Sequence, residues 1–322
     1  MVETKDDIAN LYITQIIYFN MDPETLQKII KAGKVASQVR REGAAKFVVG
    51  ASALEVMDYC EKRILELGGQ IAWAQMGIND VAAHFCPEEE DTTTLKEGDV
   101  VKIDIGTHQD GFIADNAMTV EVGSSNNFKD MIKASQNALK AAIKLVEPGR
   151  QFWELGEAQH SEAEALGFTT VKNLSGHTLN QYVVHGGYSI PSYNNKDKTE
   201  IKEGWQIAIE PFVTDGGGLI REKGKPTVFM VEKVKGVRSP YAKKILDEVK
   251  AQNGLPFTLR WLTRKFGKGA AALGLRELER SGIVKSYAPL AEVSKGTVAQ
   301  FEHSMIVEEK AKVYTRHEDD EW

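Results

Sequence analysis

The chain has 322 residues, of which 42% are hydrophobic, so it can bury one large core or two ordinary ones. Its 46 acidic and 40 basic residues give a net charge of −6, which excludes the one-sided basic field that nucleic-acid binding favours. No apolar run approaches the roughly 18 residues of a membrane span, so no membrane partner is expected. Cys60 and Cys86 lack any framework spacing, which predicts free thiols in a reducing cytoplasm.

The sequence predicts two helices near its start. Asp22 followed by Pro23 is typical of a helix N-terminus, and apolar residues recur at helical spacing to about Phe47. Ser52 with Glu55 has the pattern of a capping box and begins the second helix. We therefore expect an amphipathic helical pair.

The segment from Val100 to Val122 contains two β-rich runs joined at Asp110-Gly111, a strong hairpin signal. A loop of residues 108–111 would set Asp104 directly opposite Asp115, on one face of the hairpin. Two carboxylates in an apolar ribbon need a cation, a proton or a basic side chain to neutralise them. The hairpin alone leaves a metal site and a structural ion pair as equal alternatives.

The same order of elements returns later in the chain. Two further helices are predicted around residues 128–146 and 152–166. After each helix pair comes a strand with the same Lys-Glu-Gly opening and an acid six residues after the glycine, Asp104 and then Glu210. This repetition predicts two structurally equivalent halves in which the two acids approach each other.

Three domain boundaries follow from these patterns. Residues 1–20 precede the first helix signal and are interpreted as an extension outside the main domain, which spans 21–322. Residues 236–293 read as a compact helical insert rich in Lys and Arg. Acids dilute that charge, so solvated helix faces are favoured over nucleic-acid binding.

Several polar residues lie in apolar or glycine-flanked contexts without an obvious structural purpose. They are His84, Asp104, Asp115, His177, His185, Glu210 and Glu302. This oxygen-rich set suits a pair of hard or borderline divalent ions rather than a thiolate zinc site. Two such ions can share bridging carboxylates and activate a water for attack on an amide carbonyl.

Six short blocks carry these residues. They are Val81-Ala-Ala-His84, Lys102-Ile-Asp104-Ile-Gly, Ile113-Ala-Asp115, Leu174-Ser-Gly-His177, Ile209-Glu210-Pro-Phe212 and Ala299-Gln-Phe-Glu302-His303. In order and spacing they resemble the signature blocks of the type 2 methionine aminopeptidases, from about Met21 to about Glu309. The helical insert resembles type 2 rather than type 1, and the short N-terminus resembles the archaeal form.

The resemblance implies an α+β pita-bread fold, with two pseudo-symmetric halves around a central antiparallel sheet. It implies a cytoplasmic, monomeric enzyme that removes the initiator methionine from nascent chains whose second residue is small. The implied cofactor is two divalent ions, Co, Mn, Fe or Zn, whose bound hydroxide attacks the peptide carbonyl. The ribosome is a candidate partner, and nucleic acid is not an expected one.

The resemblance also implies roles for single residues. Asp104 is similar to the bidentate ligand of one ion, and Asp115 and Glu302 are similar to ligands that bridge both ions. His177 and Glu210 would complete the ligand set of the other ion. Glu210 further resembles the residue that takes a proton from the attacking water.

Four more positions match the family outside the ligand set. His84 and His185 stand where the family has two histidines that hold the substrate and the tetrahedral intermediate. Phe212 and Tyr287 match positions that line the methionine pocket. For each of these residues alone, a satisfied core or surface side chain is the competing interpretation.

One stretch departs from the family pattern. The family commonly has an Ala-Phe-Pro-x-Asn type sequence before the His84 block, where this chain has Ile71-Ala-Trp-Ala-Gln75. The change affects one wall of the expected pocket, which Trp73 would replace or narrow. Substrate preference is therefore more affected than activity.

Two other functions compete with this interpretation of the sequence. An X-Pro peptidase of the same fold would usually carry an additional N-terminal domain, and this chain is too short to hold one before His84. A catalytically inactive relative that binds RNA or protein partners would have lost metal ligands, whereas all five positions are filled here.

Overall fold

The computed structural model describes residues 21–320, so the interpretation of residues 1–20 lies outside the described part of the chain. The α-helices in this part are α1 (Pro23–Ala44), α2 (Ala53–Glu66), α3 (Lys129–Leu145), α4 (Phe152–Ala165), α5 (Pro240–Val249), α6 (Leu259–Phe266) and α7 (Lys268–Arg280). Among these residues, no helix combines the length and apolar character needed to cross a membrane.

The first two helices begin where the sequence predicts. The Asp22 side chain accepts a hydrogen bond from the Thr25 N–H (3.0 Å), and Pro23 occupies the first turn. Ser52 accepts from the Glu55 N–H (3.4 Å). Both caps satisfy backbone donors that have no partner inside the helix. Helix α1 ends at Ala44, slightly before the predicted end at Phe47.

The strands form one large sheet and three small ones. In chain order they are β1 (Gln70–Ile78), β2 (Val81–Ala83), β3 (Val100–Gln109), β4 (Phe112–Glu121), β5 (Thr169–Thr170), β6 (Ser175–Leu179), β7 (Ser189–Pro191), β8 (Gln206–Ile209), β9 (Phe212–Thr214), β10 (Ile220–Glu222), β11 (Val228–Val231), β12 (Phe257–Thr258), β13 (Val284–Tyr287), β14 (Leu290–Glu292), β15 (Val298–Gln300), β16 (Glu302–Val307) and β17 (Ala311–Val313). The large sheet has the order β1-β3-β4-β16-β8-β6-β7, with β17 paired to β16.

This sheet divides into two α/β halves that meet at β16. Helices α1 and α2 pack against β1 and β3, and their buried apolar residues form one core cluster. Helices α3 and α4 pack against β7, β8 and β16 in a second cluster. Strand β16 pairs with β4 on one side and with β8 on the other, both antiparallel. The predicted pair of halves around a central antiparallel sheet is confirmed.

The hairpin of β3 and β4 has a different register from the predicted one. Asp110 (φ 50°) and Gly111 (φ 87°) form a two-residue turn, and Gln109 pairs with Phe112. Positive φ at both central residues is the signature of the type I′ turn, which leaves no room for a four-residue loop. Asp104 therefore lies opposite Ala117, and the prediction that it lies opposite Asp115 was wrong.

The shift in register preserves the face on which the two acids lie. Asp115 pairs with Gly106, two residues along β3 from Asp104, so the carboxylates are diagonal neighbours on one face. The other face of β3 carries Ile103 and Ile105, which enter the core cluster of the first half. Strand alternation thus directs both acids away from the helices.

The segment 236–293 contains helices α5, α6 and α7 with their own apolar core. It also contains strands β12, β13 and β14, which the sequence did not indicate. Arg260 on α6 is fully buried and donates to the Glu61 carboxylate on α2 and to the Pro87 carbonyl (2.6 Å). A buried charge is tolerated only when it is paired, so this arginine anchors the helices to the first half.

Gly111→Ala tests the hairpin turn. Alanine at this position would have to adopt the left-handed backbone conformation, which costs about 1–2 kcal/mol. Its Cβ would also overlap the Tyr182 ring, which adds a cost of about 1–3 kcal/mol. Gly50→Ala is the matched control, because Gly50 has φ +85° and no described atom lies within 4 Å of its added Cβ. Urea unfolding is expected to show a larger loss for Gly111→Ala. Equal losses for both variants would contradict the contact with Tyr182.

Candidate metal centre and active site

Four acids from three parts of the large sheet form a buried group, which we call the carboxylate cluster: Asp104, Asp115, Glu210 and Glu302. Asp104 and Asp115 come from the hairpin face, Glu210 directly follows β8, and Glu302 begins β16. Burial raises the pKa of Glu210, and the charges of Asp115 and Asp104 raise it further.

Gln300 links the two glutamates of the cluster. Its Nε2 donates to Glu210 Oε2 (3.3 Å) and to Glu302 Oε2 (3.5 Å). The ring of His303 lies instead beside Thr315 (3.0 Å) and Asp320. No role was predicted for Gln300 from the sequence.

His177 on β6 completes the arrangement. Its Nε2 lies 3.5 Å from Asp115 Oδ2 and 3.6 Å from Glu210 Oε1. Burial, together with the neighbouring His185, lowers the pKa of His177 to about 3. The ring is therefore neutral near pH 7, and a neutral imidazole nitrogen is the form that binds a metal ion.

The cluster has the properties of a cation site. Asp115, His177 and Glu302 each offer one ligand atom, and these atoms lie within 4.8 Å of one another. Asp115 Oδ1 and Glu302 Oε1 are buried and have no hydrogen-bond partner among residues 21–320. Unpartnered carboxylate oxygens beside a neutral imidazole are the donors that divalent ions such as Mn, Fe, Co or Zn accept. These residues therefore fit a divalent metal.

Asp104 is held by two side chains from β1. Trp73 Nε1 donates to Asp104 Oδ1 and Gln75 Nε2 donates to Asp104 Oδ2, each at 2.7 Å. The indole that was expected to replace or narrow a pocket wall thus hydrogen-bonds to a predicted metal ligand. Neither hydrogen bond was predicted, because both depend on the pairing of β1 with β3.

Two further histidines flank the cluster. The His185 ring lies edge-to-face with the His177 ring, with 4.7 Å between centroids. His84 follows β2 with a left-handed backbone (φ 61°), and burial and the nearby His185 lower its pKa to about 4. A bulky residue held at positive φ is strained, and such strain is concentrated at functional sites.

The two predicted pocket residues have different surroundings. The Tyr287 ring lies edge-on to His84, with 5.8 Å between centroids, so it borders the histidine side of the site. Phe212 is buried in an apolar cluster that includes Ala82 and Ala83, the residues just before His84. Both therefore lie near the backbone or ring of His84.

Burial raises the pKa of every member of the cluster, that of Asp104 from 3.8 to about 6 and those of Asp115, Glu210 and Glu302 well above their ordinary values. Like charges nearby raise the pKa of the latter three further. A carboxyl whose pKa is higher when folded contributes stability below its unfolded pKa. That contribution is lost as the pH rises through the folded pKa.

Asp115→Asn tests this charge balance. In chelator, the variant is expected to gain in melting temperature relative to wild type as the pH rises above 3.8 toward the much higher folded pKa of Asp115, reaching a few degrees. With Mn²⁺ present the order is expected to reverse, because Asp115 offers one of the ligand atoms of the cluster. Asp130→Asn, at an exposed position on α3, is the control and is expected to track wild type. If the difference in melting temperature between Asp115→Asn and wild type did not change with pH, the raised pKa of Asp115 would be contradicted.

Comparison with known proteins places the chain in a family. Residues 27–309 match the family described as metallopeptidase family M24. A protein named methionine aminopeptidase from Thermococcus onnurineus is 41% identical over 292 residues, covering 90% of this chain and 98% of that relative. One of the same name from Pyrococcus horikoshii is 42% identical over 293 residues, covering 90% and 99%.

Solved structures support the pita-bread fold. A thermophilic Arx1 matches with a TM-score of 0.82 at 16% identity, covering 92% of this chain and 91% of its own. Methionine aminopeptidase from Thermotoga maritima matches at 0.68 and 21% identity, covering 92% and 98%. Prolidase from Pyrococcus furiosus matches at 0.60 and 18% identity, covering 97% of this chain and 68% of its own. From the family match and these relatives together, the chain belongs to metallopeptidase family M24.

Proposed function

We propose that this chain is a metal-dependent methionyl aminopeptidase that removes the N-terminal methionine of nascent polypeptides. The observation that carries the proposal is the group of Asp115, His177 and Glu302, with Glu210 and Asp104 beside it, in a chain at least 41% identical to two methionine aminopeptidases over nearly their whole length. An inactive relative would not need to keep this costly buried charge.

The proposed cofactor is two divalent ions. Asp104 would hold one ion, His177 and Glu210 the other, and Asp115 and Glu302 both. Bound divalent ions supply an acidified water and polarise the scissile carbonyl. The unpartnered oxygens of Asp115 and Glu302 support their shared role, since each carboxylate has a lone pair available toward the centre of the cluster.

The side chains of the cluster and its flanking histidines carry the proton transfers and the binding. Glu210 lies against His177, with 3.6 Å between Glu210 Oε1 and His177 Nε2, and from this position it would take a proton from the attacking water and later return it. His84 and His185 have lowered pKa values, so both are neutral and can donate one N–H to the substrate carbonyl oxygen as charge develops.

The substrate class follows from the family resemblance. We expect peptides with methionine first and a small second residue, with Tyr287 and Phe212 bordering the methionine side chain. A monomer acting in the cytoplasm, with the ribosome as a partner, completes the proposal. The two buried free cysteines agree with a reducing compartment.

Glu210→Ala tests the proposed base. Release of methionine from a Met-Gly-Ser peptide in Mn²⁺ or Co²⁺ is expected to fall by about 10² to 10⁴ in kcat, as for loss of a general base. Glu203→Ala, at the exposed turn before β8, is the control and is expected to keep wild-type kcat. Metal-dependent release of methionine is absent under both competing functions, so its absence in wild type would overturn the proposal.

An Ala-Pro-Ala peptide distinguishes the second enzyme of this fold. Prolidase from Pyrococcus furiosus shares the fold but extends well beyond it. If wild type cleaves Ala-Pro-Ala faster than Met-Gly-Ser, the chain is an X-Pro peptidase. If it cleaves neither peptide, the inactive binding protein is favoured.

Asp115→Ala tests the shared ligand. Metal analysis of the purified protein is expected to find two ions in wild type and at most one in the variant, with turnover lost. The reason is that a carboxylate between two cations lowers their mutual repulsion. Two ions and normal turnover in Asp115→Ala would contradict the bridging role.

A further inference from the structure

The pairing of β1 with β3 aims two side chains at Asp104. Ile71 pairs with Thr107, but Trp73 rather than Ala72 pairs with Gly106, so the strand carries a bulge at this point. Beyond the bulge, Gln75 pairs directly with Asp104. A bulge inserts one residue and turns the following side chains to the other face, which here is the face of the carboxylate cluster.

Gly106 makes room for the indole of Trp73. A Cβ at Gly106 would overlap the indole carbons, so the ring lies directly on the glycine backbone. From there Nε1 reaches Asp104 Oδ1 at 2.7 Å, and Gln75 Nε2 reaches the other oxygen at the same distance. Trp73, Gln75 and Asp104 are all buried, and buried hydrogen bonds of this kind hold side chains in one rotamer.

Both donors are uncharged, and this decides what they can do. A lysine or arginine at either place would neutralise Asp104 and compete with a bound cation. An indole and an amide fix the plane of the carboxylate while its negative charge remains. A carboxylate has about four lone-pair positions, so the indole and the Gln75 amide leave others for Gln300 and for a ligand inside the cluster.

Gln75 has a second contact, on the substrate side. Its Oε1 accepts the backbone N–H of His84 (3.1 Å), and Thr227 Oγ1 donates to the carbonyl of the same histidine (2.6 Å). These two bonds hold the left-handed backbone of His84 from both sides. One amide thus contacts both a carboxylate of the cluster and the backbone of a flanking histidine.

We propose that Trp73 and Gln75 are positioning residues, which orient Asp104 for one metal ion, and that Gln75 couples this carboxylate to His84. The inference rests on the proposed assignment of Asp104 as a ligand of one ion. Both residues belong to the stretch Ile71–Gln75, where the sequence differs from the pattern of the family that it resembles.

Trp73→Phe tests the indole donor, because it keeps an aromatic ring but removes the N–H together with part of the bicyclic ring that packs on Gly106. Calorimetric titration of the metal-free full chain with Mn²⁺ is expected to show two binding events. The dissociation constant of one ion is expected to rise about 10- to 100-fold in the variant, as for loss of an outer partner of a ligand. The other ion is expected to bind as in wild type.

Trp261→Phe is the matched control. Trp261 Nε1 also donates to a carboxylate, that of Glu61 (2.9 Å), between the helical insert and α2. The control therefore loses an indole–carboxylate hydrogen bond of the same kind at a distant place. Its binding of both ions is expected to equal that of wild type.

A comparison of Gln75→Met with Thr227→Val separates the effect of the Gln75 contact with Asp104 from the effect of its contact with His84. The first variant loses both contacts and is expected to weaken the same ion as Trp73→Phe and to raise KM for Met-Gly-Ser. Thr227→Val loses the hydrogen bonds to the His84 carbonyl and from the Cys86 N–H but no contact with Asp104, so KM is expected to rise while both metal affinities stay at the wild-type value. Gln75→Met also keeps the test valid if Trp73→Phe fails to fold.

The outcomes are distinct for the positioning role and for the proposed function. Weakening confined to one ion in Trp73→Phe or Gln75→Met supports the inference, even if wild type releases no methionine and the proposed activity fails. Unchanged affinities in both variants, equal weakening of both ions, or a wild type that binds a single ion overturns it. Methionine release by wild type would leave the proposed activity standing in each of those cases.

Discussion

The four carboxylates of the cluster repel each other and have lost most of their hydration. The surrounding structure is arranged around the free-energy cost of this buried charge. The side chains that contact the cluster are an indole, two amides and an imidazole whose pKa is too low to carry a charge at neutral pH. Each can donate or accept a hydrogen bond, but none carries a positive charge, and the buried Arg40, whose charge acts on Glu302, is paired with Asp320. Charge balance is therefore left to protons or to a bound cation.

The hairpin shows which part of a fold a local pattern determines. Alternation along β3 and β4 predicted that Asp104 and Asp115 share a face, and they do. The exact pairing was wrong by two residues, because the sequence suggested a longer loop than the tight turn at Asp110 and Gly111. A shift of two residues leaves every side chain on the same face of its strand. The two acids therefore share a face, although their predicted pairing was wrong.

Helices were predicted closely because their signals are local. The caps at Asp22 and Ser52 act within one turn, and the predicted starts match the structure. Strands β12, β13 and β14 inside the insert were missed because each is short and pairs with a segment outside the insert. Strands β12 and β13 pair with β11, and β14 pairs with β2 and β10. Nothing within a few residues of these strands specifies such partners.

The acids and histidines of the candidate site were predicted from the sequence, whereas its amide and indole side chains were missed. An acid or histidine in an apolar context is conspicuous, so Asp104, His177 and Glu302 could be selected from the sequence alone. The roles of Trp73 and Gln75 depend on a bulge in β1, and neither side chain is unusual in a buried strand. Tertiary pairing, rather than residue type, gives them their contacts with Asp104.

Strand β16 joins the two halves into one sheet, and the cluster draws its acids from both sides of that strand. A cation bound there holds the halves together as well as serving the reaction, because its binding free energy adds to the free energy of unfolding. When divalent metal is scarce in a cell, a larger fraction of such chains unfolds and becomes available to proteases. Metal supply would then set how long each molecule survives, and hence how much of the protein a cell contains.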